Sequence, residues 1–361
     1  MIRTRKPKPA TATELLVPID SAFSRRDGRL HAEGVPLARI AAEVGTPVYV
    51  YSRAAIEARW QSFEAAFGRT PHQLCYAVKA NGNLGVLGLL ADMGAGFDLV
   101  SAGELERVVR AGGDPARCVF SGVGKSRSEL ERALRAGVGC INIESAAELE
   151  RVAAVAGAVG LRAPVAIRVN PDVDARTHPH IATGLRETKF GVPMIDAPAL
   201  YRRARGLDGV RVIGIACHIG SQLTELGPFV EAADRVLSLA ADLIAEGFAL
   251  EHIDLGGGLG IRYREESPPG PEAYVGALCE RLRASGLDLA LHLEPGRSIV
   301  GDAGVLLTRV EYLKPGTPRG FAIVDAAMND LLRPAMYGAW MGIVEVDPAQ
   351  DVAAGRYDVV G

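Results

Sequence analysis

Eight times between residues 74 and 296 the chain repeats one unit: a short apolar, β-rich run closing on a polar residue or Gly, then an Ala/Leu/Glu/Arg stretch at helical spacing. The runs are Leu74–Ala80, Gly96–Ser101, Cys118–Gly122, Cys140–Ser145, Pro164–Asn170, Ile213–Ser221, His252–Gly258 and Leu289–Gly296. Their near-continuous apolarity suits parallel strands buried on both faces. Eight strand–helix units in roughly 225 residues point to a (β/α)8 TIM barrel, whose usual size is ~250 residues. A doubly wound open sheet would alternate too, but has no reason to stop at eight.

Helix boundaries carry independent marks. Ser101-Ala-Gly-Glu104 and Ser145-Ala-Ala-Glu148 read as capping boxes at strand-to-helix turns. Gly112-Gly113 and Gly137 stand where helices should stop. The high glycine content, 42 of 361 residues, has no low-complexity run to explain it and is expected in turns and loops. After the repeats the pattern changes. Residues 303–314, 319–326 and 340–347 alternate without strong helices between them, as antiparallel β structure does, and the chain stops inside another strand-like run, Arg356–Gly361. The domain expectation is a barrel over 46–298, a β-rich C-terminal domain built from 21–45 plus 299–361 and incomplete at its end, and a flexible tail over 1–20.

Lys+Arg 40 against Asp+Glu 43 gives a net charge of −3, which makes neither nucleic acid nor a membrane surface an expected partner. Five cysteines without paired spacing, and no apolar leader core in residues 1–20, fit a reducing cytoplasm. No run approaches the ~20 apolar residues of a membrane span.

A barrel of this kind keeps its chemistry at the C-terminal ends of its strands. There the sequence places Lys79, Asp98 with Ser101, Ser121, Glu144, Arg168 with Asn170, His218 with Ser221, Gly256-Gly257-Gly258, and Glu294 with Arg297. Lys79 is either a lysine snorkelling to water or a desolvated amine of lowered pKa that attacks a carbonyl. The glycines after strand 7 are either a tight turn or a phosphate cradle, the loops after strands 7 and 8 being the usual phosphate site. Glu294 and Arg297 form either a local ion pair or, through the carboxylate, the partner of a cofactor ring nitrogen. Taken together, the amine, the cradle and the ring partner describe a pyridoxal phosphate site. Other patterns are set aside. Gly124-Lys125-Ser126 imitates a P-loop but has Val119 where the first Gly is required. His178-Pro-His180 lacks a third metal ligand, and Cys217 and His218, as neighbours on a strand, point to opposite faces.

Tyr76-Ala-Val-Lys-Ala-Asn81, Phe97–Glu104, the run from Thr183 to Lys189-Phe-Gly191, Cys217-His-Ile-Gly-Ser-Gln222, Asp254–Gly260 and Glu294-Pro-Gly-Arg297 together resemble the diaminopimelate decarboxylases. These belong to the alanine-racemase-like pyridoxal phosphate enzymes, which include ornithine and arginine decarboxylases. The resemblance runs from about Phe23 to the end of the chain. It implies a homodimer with active sites at the subunit interface, and decarboxylation of meso-2,6-diaminopimelate to L-lysine with pyridoxal 5'-phosphate as cofactor. By resemblance, Lys79 holds the cofactor covalently, His218 stacks on its ring and Glu294 binds its nitrogen. Gly256, Gly257, Gly258, Ser221, Gly296 and Arg297 serve phosphate and substrate, and Asp98 and Arg168 orient these groups. Arg297, Arg333 and Tyr337 match substrate-binding positions. A distal carboxylate calls for a bidentate guanidinium such as Arg333, where a distal amine would call for an acid.

The sequence departs from the family in lacking a later Cys-Glu-Ser motif and a tyrosine, which implies impaired turnover and a weaker dimer. Four alternatives compete: a non-catalytic cofactor-binding regulatory relative, another basic amino-acid decarboxylase, a racemase on the same barrel, and a glycosidase using Glu144 and Glu294 as paired carboxylates.

Overall fold

A computed structural model describes residues 22–173, 189–347 and 355–361, which divide into two compact units. The larger comprises Glu57–Ile261 and Ser267–Gly301. Its strands are β1 His72–Ala77, β2 Gly96–Leu99, β3 Cys118–Phe120, β4 Cys140–Ile143, β5 Ala163–Asn170, β6 Val210–Ala216, β7 His252–Asp254 and β8 Ala290–Leu293. Each pairs in parallel with its sequence neighbour, and Leu291–Leu293 of β8 pair with His72–Leu74 of β1, closing the barrel. The eight-strand expectation holds, and the open-sheet alternative fails on that closure.

Most of the predicted strands run past the C-terminal end of the observed ones. Val78–Ala80 is a turn of 3-10 helix, and the residues after Leu99, Phe120, Ile143, Ala216, Asp254 and Leu293 belong to loops. The cause is physical: loop residues that face the barrel mouth stay partly buried and keep the apolar look of a strand. Helix starts agree with the capping argument. The Ser101 and Ser145 hydroxyls accept the N–H groups of Glu104 and Glu148. Ser126, in the P-loop look-alike, forms a reciprocal capping box with Glu129 and opens the helix Arg127–Ala136, which ends at Gly137 with φ +77°. Trp60, Phe63, Phe97 and Phe120 are fully buried, each worth ~1.5–3 kcal/mol relative to exposure.

The smaller unit takes in the described residues up to Ile56, Arg262–Glu266 and those from Asp302 onward. It is β-rich. Phe23–Arg26, Arg29–Ala32 and Val35–Pro36 form an antiparallel sheet, and Val48–Tyr51 pairs antiparallel with Gly304–Leu307. Val310–Lys314 runs antiparallel to Gly320–Val324, whose other edge carries Tyr357–Val360 in parallel. Residues 340–347 are not a strand. Val344 and Val346 pack on the cluster of Phe23, Leu30, Leu37 and Leu307, and the Val346 carbonyl accepts the Leu30 N–H at 3.0 Å, a single backbone bond rather than a ladder.

Candidate active site

The polar residues of the strand ends gather at one mouth of the barrel. Lys79 leaves the turn after β1, its side chain half exposed, and its ammonium pairs with the Asp98 carboxylate of β2, which is buried. Burial works against the charge on Lys79, but Asp98 and Glu294 outweigh it and hold the amine above its ordinary pKa, with Arg168 opposing them. The expected lowering is thus corrected: desolvation is present, and two facing carboxylates reverse it.

Glu294, just past β8, is buried. Burial, then the neighbouring Asp254 and Asp98, push its carboxyl well above the ordinary range. Asp254 at the end of β7 is driven up by burial as well, so the two acids share a proton rather than carry two charges. One Asp254 oxygen accepts the Gly256 N–H at 2.8 Å. His218 follows β6; the Gly257 N–H donates to its Nδ1 at 3.2 Å, which leaves the proton of a neutral ring on Nε2. Burial, with Arg168 and Lys79 adding to it, holds His218 neutral.

The three glycines are required by the backbone itself. A Cβ on Gly256 would stand 2.6 Å from the Cys217 carbonyl oxygen, one on Gly257 2.1 Å from that of Glu294, and one on Gly258 2.3 Å from that of Gly220. Glu144, after β4, binds Arg168 of β5 at 2.9 Å and accepts the Gly122 and Gly191 N–H groups at 3.2 and 2.8 Å. Both carboxylate oxygens of Glu144 are thereby committed, which removes it as a glycosidase acid. Arg168 also lies 5.0 Å from the Phe190 ring centroid. Arg297 donates to the Ser221 hydroxyl at 3.1 Å, and a Cβ on Gly296 would touch those of Ala77 and Ala80 at 3.0 Å.

Arg333 and Tyr337 belong to the smaller unit. The Arg333 guanidinium sits 5.4 Å from the ring centroids of both Tyr263 and Tyr337, and its buried Nε has no hydrogen-bond partner among the described residues. All five cysteines are buried and unpaired in disulfides. Burial raises each thiol, Cys217 to about 12, so none is a thiolate near neutral pH. His178, His180 and the first part of the run from Thr183, up to residue 188, lie outside the described residues.

Buried acceptors with no partner among the described residues stand at this mouth: Asp98 Oδ1, Asp254 Oδ2 and Glu294 Oε1. Beside them are a half-open lysine amine and a neutral imidazole. A ring N–H donor, an aldehyde and a flat aromatic face would satisfy all three, so the residues fit pyridoxal phosphate. The model for the pyridoxal binding domain of pyridoxal-dependent decarboxylases matches residues 53–301. The diaminopimelate decarboxylase of Pseudomonas aeruginosa is 60% identical over 339 residues, covering 94% of this chain and 81% of that protein. The chain belongs to the diaminopimelate decarboxylase family. Solved relatives agree with the architecture. The Helicobacter pylori diaminopimelate decarboxylase complexed with L-lysine superposes with a TM-score of 0.81 at 42% identity, covering 84% of this chain and 76% of that one. The M. jannaschii enzyme in co-complex with L-lysine gives 0.85 at 35% identity, with 90% and 77% coverage. Pyridoxal 5'-phosphate is the cofactor of this decarboxylase.

The sequence reading missed Asp254 as a site residue. Its signal was present, an acid near the end of an apolar run and two residues before three glycines, but its interaction with Glu294 arises only when β7 and β8 lie side by side. It also missed the role of Glu144 as the clasp of Arg168.

Proposed function

We propose that this decarboxylase converts meso-2,6-diaminopimelate to L-lysine and carbon dioxide at the mouth of its barrel, with Lys79 as the residue that holds pyridoxal phosphate. The observation that carries the reading is the Lys79–Asp98 pair facing the proton-sharing acids Glu294 and Asp254, in a chain 60% identical to a diaminopimelate decarboxylase.

When bound, pyridoxal phosphate supplies an electron-accepting ring for the pair left as the bond from the α-carbon to its carboxylate breaks. The chain supplies the rest. Asp98 aims the Lys79 amine and holds it at the mouth, and Lys79 reacts only after losing a proton. Glu294, tied to Asp254, is the acceptor for the ring nitrogen's proton. His218, neutral and fixed by Gly257, offers a flat face without a competing charge. The Gly258 N–H, with Ser221, Gly296 and Arg297, is suited to phosphate and carboxylate oxygens, and Gly256 and Gly257, whose N–H groups bind Asp254 and His218, keep the loop clear of side chains. Arg168 is held by Glu144 and opposes the charge on Lys79. Arg297, Arg333 and Tyr337 take the substrate's carboxylates, a bidentate guanidinium selecting a distal carboxylate over a distal amine. Cleavage consumes one proton, delivered to the α-carbon.

A homodimer fits the same reading. Val310, Tyr312, Leu313, Phe321 and Val359 are exposed on one small sheet, an apolar area of the kind that partners cover. Five reduced thiols fit a cytoplasmic setting, and no described helix is long and apolar enough to cross a membrane.

The test is visible absorbance and carbon dioxide release with pyridoxal phosphate and diaminopimelate. The wild-type chain should show a band that Lys79→Ala abolishes, and should release carbon dioxide from diaminopimelate but not ornithine. Equal turnover of ornithine would overturn the substrate assignment, and an unchanged band in Lys79→Ala would overturn the role of Lys79.

A further inference from the structure

The loop that imitates a P-loop holds a second buried cation that the site description leaves unused. The side chain of Lys125 is 1% exposed, and its amine makes three hydrogen bonds: to the carbonyl oxygens of Gly122 at 2.7 Å and Asn142 at 2.6 Å, and to Glu148 Oε1 at 2.7 Å. An ammonium has three protons, and each is placed. Burying such a group is costly unless every donor is met. A saturated lysine inside a barrel rim is therefore a specified feature rather than a surface residue folded inward. Its ammonium also lies 5.8 Å from the Phe120 ring centroid, and Arg151 donates to its backbone carbonyl at 3.0 Å.

The bonds continue toward the site. The second oxygen of Glu148 accepts the Glu144 backbone N–H at 2.7 Å. Glu144 then collects Gly122 after β3, Arg168 of β5 and Gly191 beyond β5. Lys125 thus grips β4 at Asn142, the β3 loop at Gly122, and through Glu148 the residue that clasps Arg168.

We propose that Lys125 is a positioning residue of the decarboxylase site, setting the Glu144–Arg168 ion pair through Glu148. This rests on the reading of Lys79 as the cofactor lysine. The groups that face Lys79 are Asp98 and Glu104 from β2 and the helix after it, Arg168 from β5, His218 after β6 and Glu294 after β8. Of these, Arg168 and His218 are basic, Arg168 works against the charge on Lys79, and Arg168 is the group Lys125 controls at a distance. Loosening Lys125 frees Arg168 from Glu144 and so changes the opposition it offers to the charge on Lys79.

The test uses the full chain and three variants: Lys125→Met, Glu148→Gln and Glu144→Gln. Glu148→Gln keeps a carbonyl oxygen for Lys125 but puts an NH2 group, which donates and does not accept, in place of the oxygen that receives the Glu144 N–H. It serves if Lys125→Met does not fold. Two readouts are taken. One is the pH dependence of Lys79 acylation in the chain without cofactor, read by peptide mass spectrometry. The other is the pH profile of kcat/KM for the holoenzyme. In Lys125→Met or Glu148→Gln the Lys79 midpoint and the holoenzyme profile should each shift by about half a pH unit or more. Pairing either with Glu144→Gln should add little, because the variants cut one chain of contacts. Lower melting temperature with unmoved profiles would overturn the proposal and leave Lys125 a scaffold residue. A wild-type chain that captures no pyridoxal phosphate on Lys79 would instead overturn the site reading, and the acylation readout separates the two failures.

Discussion

Acidification should unfold this protein through a pair of histidines that take no part in the active site. His252 opens β7 and His292 sits in β8, both in the larger unit, with rings stacked at 4.1 Å and 4°. His252 also lies against Gly214, where a Cβ would fall 2.3 Å from its Nε2, and His292 Nδ1 is buried with no hydrogen-bond partner among the described residues. Burial lowers His252 from 6.5 to about 4, and burial together with His252 itself drives His292 well down. At these two rings the folded state therefore binds fewer protons than the unfolded chain between about pH 4 and 6.5, so their contribution to stability is present above that window and lost as pH falls through it, against the opposite contribution of the raised carboxyls of Asp254 and Glu294. Linkage puts the loss from His252 alone at about 2 kcal/mol between pH 7 and pH 5. His292 adds to it in the same direction. The assay is urea unfolding at both pH values for the wild type and for His252→Gln, which keeps the bulk but cannot titrate. Whatever the glutamine costs is common to both pH values, and the opposite contribution of Asp254 and Glu294 is common to both proteins, so each cancels in the comparison. The wild type should lose about 2 kcal/mol more than the variant. Parallel losses would refute the argument that the stack is held neutral.

The active site and core yield three further expectations. Lys79→Ala leaves buried Asp98 without its cation, so the folded variant should lose stability at neutral pH and recover part of it on acidification, as followed by thermal unfolding. Gly257→Ala drives a Cβ into the backbone oxygen of Glu294, where nothing flexible can yield, and should both destabilise the chain and abolish cofactor uptake read by absorbance. Arg333→Met should raise KM for diaminopimelate roughly 10- to 100-fold, the loss of a charged hydrogen-bonding pair, with a smaller change in kcat measured in the same steady-state assay.

The barrel was legible because each repeat announces itself twice, by an apolar run and by a capped helix after it. Ser101 and Ser145 cap where the spacing predicts. What the sequence hid is pairwise. Nothing local distinguishes Asp254 from any strand-end acid, since its partner Glu294 is set by the β7–β8 register, in which Asp254 stands opposite His292. Lys125 misled for the same reason: its neighbours in sequence suggest a phosphate loop, whereas its partners Asn142 and Glu148 lie 17 and 23 residues on. Alternation over 340–347 suggested a strand because periodic burial and ladder pairing share one pattern, and only the first is present there. Between the two readings of Lys79 charge decides: Asp98 and Glu294 together outweigh the desolvation that the apolar run foretells.

The glycines after β7 have a bearing on how this family drifts. Each is pressed by backbone, Gly256 and Gly258 by the loop after β6 and Gly257 by the loop after β8, so a side chain at any of them is excluded before a cofactor enters the question. Selection for folding alone would keep them in a descendant that had lost all catalysis. Their presence testifies to the barrel and not to turnover. Lys79 and His218 are the opposite case: their partners are Asp98 and the Gly257 N–H, groups of the site itself, and their survival in a sequence is the better sign of a working enzyme.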